Sequence, residues 1–570
     1  MYLRVTKSGG HEYVSMAHNE RDPVSGQSRA NILYNFGRKD KLDTNELKRL
    51  IASISRLLDP EDVEVLAADG SLPRVFEFLG AKRLGVTHAL DGVWRRLGLA
   101  SVFERLLAER NFTTPIERLL FALVAQRAVA PGSKLSVESW VADEAHIDGL
   151  DEVDVQQLYR AMDFLLEAHD EIQREVFWSV SNLFNLEVDV IFVDTTSTYF
   201  EIEDEDDDDD EVPVGDADEP VDDSEVGLRK RSAHSKDKRP DLPQAVIGFA
   251  VTRTGVPVRC WVWPGNKVDA ALVAEVKRDL NTWKLGRVVM VMDTGFNSEA
   301  NRRALQGAGD AYIIGERMRL GPKGTLPEAL KRAGRFKTLE SGLRVKEVII
   351  NQGSVAARRF VVVHNPKQAE RDKAKRDDIV LETERRLAEL QQLDGGAHSK
   401  AACDLRAHKT FGRYVRQTKT GLLRLDKGKI ATEAKLDGKY LISTSDDHLS
   451  PEDVALGYKQ LHEIERVNRD LKHTVDVRPV YHRRSDRIKS HVLLCWLALL
   501  LIRITENETG SSWHQLKNVL HPLSVAYHRT EHGRIAQTNP PTKEQKRVLD
   551  ALKVKPPARF LEIPTPAKTA

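Results

Sequence analysis

The sequence predicts a multi-domain α/β protein: a mixed sheet with flanking helices, interrupted by a strand-rich insertion and preceded by a small β-meander and a helical bundle. Three observations predict it. Glu187-Val-Asp-Val-Ile-Phe-Val-Asp194 is a short apolar run rich in β-branched residues, the pattern of a buried strand, and it closes on an acid. Arg287-Val-Val-Met-Val-Met-Asp293 repeats the design, with Thr294-Gly295 turning the chain away. Far downstream, Leu456 to Lys472 has no Gly or Pro after Gly457 and is rich in helix formers, so it reads as one helix.

Two such strands running side by side in one direction bring both aspartates out at the same sheet edge. On the helix, at about 100° per residue, Leu461, Ile464, Val467 and Leu471 share the side that must be buried. Tyr458, Glu465 and Lys472 fall in one row at its border, and Glu463 points the other way, into solvent. A helix packed across the sheet edge adds Glu465 to Asp194 and Asp293. Three carboxylates suit Mg²⁺, which takes oxygen ligands and keeps several waters. Two ions about 3.5–4 Å apart can clamp the attacking and leaving oxygens of an in-line displacement at phosphorus.

Composition sets the frame. At 570 residues the chain is too long for one core. With 41% hydrophobic and 30% charged residues it falls among soluble globular proteins. The longest apolar run, Val492–Ile502, is too short to span a bilayer and reads as a buried helix, so no membrane is expected. The N-terminus lacks a secretory pattern, and Cys260, Cys403 and Cys495 form no zinc motif; a reducing cytoplasm is expected. No Gly-Lys-Ser/Thr phosphate loop occurs, so no nucleotide cofactor is expected. The net charge of zero conceals an asymmetry. Residues 201–225 hold 16 acids and no Lys or Arg; the rest has 70 acidic against 86 basic residues, an excess of +16 that suits a polyanion.

In order, residues 1–43 read as a β-meander, with Tyr2–Lys7 and Glu12–Ala17 flanking the turn Ser8-Gly9-Gly10 and Ala30–Phe36 as a third strand. Residues 44–185 are helical and expected to bind DNA. Thr114-Pro115-Ile116-Glu117 is a helix start with a capping box. Residues 186–320 form the first part of the catalytic core. An acidic loop, 201–228, is expected to be disordered, and the basic run Arg229–Arg239 follows it. Strands Ala245–Thr252 and Val258–Trp263 turn at Thr254-Gly255; a helix at 269–283 then leads to the strand before Asp293. Strand–strand–strand–helix–strand, then a helix with Glu465, is the order of an RNase H-like core. Residues 321–450 read as the insertion: strands at Leu343–Ile350, Arg359–His364 and Tyr440–Ser445, β patterning at Phe411–Lys429, and a long charged helix, Pro366–Leu390. Residues 451–510 complete the core with a cationic stretch, Val475–Lys489, and a buried helix at 488–505. Residues 511–570 are C-terminal helices, one capped by Thr542 and Gln545, and a mobile tail, Pro556–Pro566.

The arrangement resembles the DDE transposases of bacterial insertion sequences, in the branch marked by Tyr-x₂-Arg-x₃-Glu-x₆-Lys. The row here is Tyr458-x₂-Leu461-x₃-Glu465-x₆-Lys472, and Val193-Asp194-Thr-Thr-Ser, His234-Ser-Lys-Asp-Lys-Arg-Pro-Asp-Leu-Pro-Gln244, Met292-Asp293-Thr-Gly-Phe296 and Ser443-Thr-Ser-Asp-Asp are similar too. The resemblance implies cut-and-paste transposition with two Mg²⁺ ions, Mn²⁺ being able to substitute. It assigns Asp194, Asp293 and Glu465 to the catalytic metal-binding triad, and Tyr458 and Lys472 to terminal phosphates. The branch's arginine is Leu461 here, so Lys459 or Arg469 has to supply that contact. Lys236, Arg239, Arg478, Arg483 and Arg484 are expected to bind the DNA backbone. The partners implied are element ends and target DNA, held by a homodimer. Two other readings stay open: an RNase H-like nuclease that cuts without joining, and a non-catalytic DNA-binding regulator.

Overall fold

The computed structural model describes residues 2–21, 28–43, 77–108, 110, 114–183, 190–206, 227–233, 235–283, 288–306, 310–320, 326–354, 357–393, 395–530 and 533–563. The helix onset expected at 44, the strand start at 187, most of the acidic loop (207–226), His234 and the tail beyond 563 lie outside the described residues. The chain divides into two units: Met1–Gly80, Tyr527–Ala536 and Glu562–Ala570 in one, Ala81–Ala526 and Gln537–Leu561 in the other.

In the smaller unit, β1 (Tyr2–Ser8), β2 (His11–Arg21) and β3 (Ser28–Arg38) form the expected antiparallel meander in chain order. Gly9 and Gly10 turn its first hairpin at φ 56° and 78°, where a side chain would be strained.

The larger unit begins with α1 (Gly85–Arg96), α2 (Leu99–Leu107), α3 (Ile116–Val129), α4 (Val155–Glu167) and α5 (His169–Leu183). α3 is buried on nearly every side. The capping box expected at Thr114 does not form, and Pro115 is the N-cap without a side-chain bond. Glu117 is drawn elsewhere: it accepts from Trp94 Nε1 at 2.7 Å and from Arg118 Nε at 2.5 Å.

The sheet is built from β4 (Val190–Tyr199), β5 (Gln244–Val251), β6 (Pro257–Pro264), β7 (Val289–Met292), β8 (Ala311–Glu316), β9 (Lys337–Thr338), β10 (Arg344–Ile350), β11 (Arg358–His364) and β12 (Lys439–Thr444). Their order is β9-β10-β11-β12-β8-β7-β4-β5-β6. β4, β7 and β8 are parallel neighbours, and every other pairing is antiparallel. Gly255, at φ 77°, turns the β5–β6 hairpin. α6 (Asp269–Asn281) crosses over to β7, and α7 (Glu299–Gln306) joins β7 to β8. This mixed sheet with its flanking helices is the RNase H-like architecture the strand order predicts.

Residues 321–450 are not a separate strand-rich body. β9 to β12 continue the sheet beyond β8, because Phe360–Val363 and Leu441–Ile442 are apolar on both faces and need neighbours above, below and alongside. What leaves the sheet is α8 (Pro366–Leu390, as predicted), α9 (Gly395–Ala407) and a ribbon of Val415–Gln417 with Leu423–Leu425 within the expected β patterning of 411–429, followed by a helix at Lys427–Ala434. Leu387, Leu390, Leu405, Val415 and Leu423 give this excursion its own small core.

The helix expected from 456 to 472 is two helices. α10 (Pro451–Lys459) ends at Gln460 and α11 (Leu461–His473) starts anew, with Leu461, Ile464, Val467 and Leu471 buried as predicted. α12 (Ser485–Thr509) is long and apolar enough by composition to cross a membrane, yet lies almost wholly buried in this unit. It packs on α1, α3, α4, β6 and α11, so the helical segment, expected as a domain of its own, shares one core with the sheet. The rims of the acidic loop are ordered, contrary to expectation: Asp206 Oδ1 pairs with Arg229 at 2.5 Å, and Leu228 is buried. Thr542 and Gln545 form the expected capping box, and Phe560–Glu562, within the tail expected to be mobile, is a strand.

Glu463 does not face solvent. Its carboxylate meets Arg503 at 3.2 Å, and the Arg503 side chain is 1% exposed. The same guanidinium reaches Glu506 at 2.9 Å and Asp470 at 3.9 Å, and donates to Gly255 O at 3.3 Å. One buried cation thus ties α11, α12 and the β5–β6 turn. Arg503→Ala removes the buried cation shared by three carboxylates, leaving Arg466 to meet Glu506 and Asp470, and should destabilise this unit by about 3 kcal/mol. The check is its chemical denaturation midpoint, which should fall well below that of the wild type.

Candidate active site

β4 and β7 lie parallel with Val190 opposite Val289, Ile191 opposite Met290 and Phe192 opposite Val291. The same offset sets Asp194 level with Asp293. β7 stops at Met292, and Asp293 opens a tight turn, its Oδ1 accepting from Gly295 N at 2.8 Å. β4 does not stop at Asp194. It runs on to Tyr199 because β5 keeps pairing with it, Asp194 standing opposite Phe249. Asp194 therefore sits where β4 loses its parallel neighbour, and the two acids flank that opening.

α11 packs over β4. Asn468 Nδ2 donates to Asp194 Oδ2 at 2.9 Å. Glu465 stands one turn before Asn468 on the same side of the helix, its carboxylate exposed. Among the described residues no three His, Cys, Asp or Glu side chains are gathered closely enough to hold an ion as they stand. A cation already occupies part of the space. Lys236 Nζ lies 4.0 Å from Asp194 Oδ1 and 3.1 Å from Asp269 Oδ2, and donates to Thr195 O at 2.6 Å. Even so, the Asp194 carboxyl is pushed up to about 7: burial dominates, Lys236 opposes it, and the charges of Asp293 and Asp269 add to it. Acids this crowded offer carboxylate oxygens, a donor set that fits a hard divalent cation.

Tyr458, at the end of α10, stacks on Tyr440 with ring centroids 5.8 Å apart. Burial raises its phenol above the ordinary range, the fields of Asp293 and Glu465 add to that, and a hydrogen bond with Thr294 opposes it. The phenol thus faces both acids although it lies on a different helix from Glu465. Lys472 Nζ donates to Asp237 Oδ1 at 2.8 Å, and Arg478 approaches Asp237 Oδ2 at 3.7 Å. Arg478 and Arg239 flank the Tyr199 ring, at 4.4 and 5.4 Å from its centroid. Arg239 also pairs with Asp241, and Arg484 with Asp486. Arg469 and Arg483 are exposed and make no ion pair among the described residues. Leu461, in the usual arginine position, is 8% exposed within the apolar stripe and cannot face a phosphate.

Sequence reasoning missed four residues here: Thr195, Asp237, Asp269 and Asn468. Only Asn468 carried a legible signal, being three positions after Glu465 on the same helix face.

Two family models match the chain: "IS1634 family transposase, N-terminal domain" over residues 3–64 and "Transposase DDE domain" over residues 221–501. The second spans Asp293 and Glu465 and begins after Asp194. No curated protein matches. Among solved structures, the cryo-EM structure of the piggyBac transposase synaptic complex with hairpin DNA is similar with a TM-score of 0.32 at 10% identity, over 83% of this chain and 81% of that one.

The Asp194 shift has a signed consequence. Its folded value near 7 lies above the ordinary 3.8, so the stability it confers is whole below about pH 4, declines as the pH rises to 7, and is lost above that. Asp194→Asn removes this titration. In the presence of a chelator, the melting temperature of the variant relative to wild type should climb between pH 4 and 7 and level off beyond. A difference that stays flat across that window contradicts the shift.

Proposed function

We propose, because this chain is a DDE transposase with an IS1634-family N-terminal domain and acts in DNA transposition, that it excises an insertion sequence and reinserts it by cut-and-paste. One observation carries the site: by the offset of two parallel strands Asp194, within one, comes level with Asp293, just past the end of the other, beneath the helix that bears Glu465. DDE domains use divalent metal ions; our reading is two Mg²⁺, with Mn²⁺ able to substitute, held by Asp194, Asp293 and Glu465. Such ions, when bound, supply Lewis-acid charge to an in-line displacement at phosphorus.

The chain's own groups do the rest. Asn468 orients Asp194, and the Gly295 amide fixes Asp293. A phenol held above its ordinary range stays protonated at neutral pH, so Tyr458 serves as a donor to a phosphate oxygen beside the acids. Lys472 and Arg478 form a cationic wall around Asp237, and the exposed Arg469 and Arg483 take backbone phosphates. Arg469, eight residues after Leu461, stands on the exposed face of α11 and replaces the missing arginine. Pairing two element ends calls for a homodimer on DNA.

The test is a cleavage-and-joining assay on DNA carrying the element's own ends. Asp194→Asn, Asp293→Asn and Glu465→Gln should each lower cleavage by at least on the order of a thousandfold while leaving end binding intact. Cleavage without joined product would assign a nuclease instead. Lys472→Ala should weaken binding on all sequences alike and flatten the salt dependence by about one unit of slope, read from binding isotherms at several salt concentrations.

A further inference from the structure

Asp269 opens α6, and an acid in a first turn is ordinarily explained by the helix dipole. The N-cap is Val268, which caps nothing, and Asp269 is the first helical residue. Its carboxylate turns instead to the strand that bears Asp194. Asp269 Oδ1 accepts from Thr195 Oγ1, and Oδ2 faces Lys236 at 3.1 Å. It also borders the other aspartate: a methyl built on Gly295 would lie 3.0 Å from Asp293 Oδ1 and 3.3 Å from Asp269 Oδ2. Asp269 thus touches the surroundings of both Asp194 and Asp293.

The Lys236 ammonium lies among oxygens alone: Asp194 Oδ1, Asp269 Oδ2, and the carbonyl and hydroxyl of Thr195. That is the coordination a hard cation takes, filled here by a side chain. Three aspartates against one lysine leave a formal −2 at the opening. We propose that Asp269 is a fourth oxygen donor of the divalent-cation site, and that Lys236 is a tethered cation that neutralises this oxygen nest until a divalent ion displaces it. The proposal rests on the reading of Asp194 and Asp293 given above. Displacement frees the Lys236 ammonium, which then meets a DNA phosphate only once the site is loaded.

The experiment is Mn²⁺ binding to the purified full chain without DNA, followed by electron paramagnetic resonance of the free ion, with melting temperatures as a control on folding. Asp269→Asn should weaken Mn²⁺ binding by about tenfold or more. Lys236→Met should tighten it, an effect in the opposite direction that a damaged fold cannot produce. Asp269→Asn binding within twofold of wild type, or Lys236→Met binding more weakly, overturns the proposal, as does absence of saturable binding in both wild type and Lys236→Met. Asp194→Asn separates the two readings: if it leaves binding unchanged, the site itself is misassigned, whereas if it abolishes binding and Asp269→Asn does not, only the fourth donor fails.

Discussion

Everything at the sheet opening depends on a guanidinium buried among acids. Arg503 has no access to water, so its charge must be met within the protein. The carboxylates of Glu463, Asp470 and Glu506 meet it, and two of these belong to α11. That fixes the rotation of α11 about its own axis as well as its place. With Glu463 and Asp470 committed to one side and Leu461, Ile464, Val467 and Leu471 to the core, Glu465 and Asn468 have only the β4 side left. The apolar stripe alone would tolerate a modest roll of the helix; the ion network does not.

Apart from the exposed Arg469 and Arg483, the cations named around the opening are engaged within the chain. Lys236 answers to Asp194 and Asp269, Lys472 and Arg478 to Asp237, Arg239 to Asp241, and Arg484 to Asp486. Exposed pairs such as Arg484–Asp486 exchange partners at little cost, because water and salt already screen them. The Lys472–Asp237 pair, with side chains 14% and 10% exposed, is different. Any anion that took Lys472 would have to replace an acid held at hydrogen-bond distance.

Much of this was legible in the sequence where short-range pattern decides. Runs such as Val190-Ile-Phe-Val and Val289-Met-Val-Met are too apolar for anything but central strands, and the stripe on α11 follows from its period. What stayed hidden depends on partners distant in the chain. Nothing local distinguishes Gln460 from any other helix residue, yet the chain turns there because α10 packs on β8 and β10 to β12 while α11 packs on β4. The strands of 321–450 looked self-contained because which edge a strand pairs with is not written in its own residues. Glu117 had the spacing of a cap and Glu463 that of a solvent-facing acid, and each was claimed by an arginine, with Glu117 also bonding Trp94. Asp237 lies in a basic run and Asp269 in a helix's first turn, and neither position marks the partner it takes.

The order in which the site's parts appear along the chain has a consequence for synthesis. Asp194 and Asp293 are translated early, but β12, which closes the sheet against β8, ends at Thr444, and the arginine that sets α11 comes only at 503. A chain ending before Arg503 retains the apolar stripe of α11 but lacks the cation that fixes its roll. Long-range closure of this kind also makes folding slow relative to local helix formation. The group that orients the helix of Glu465 is therefore among the last parts of this core to leave the ribosome.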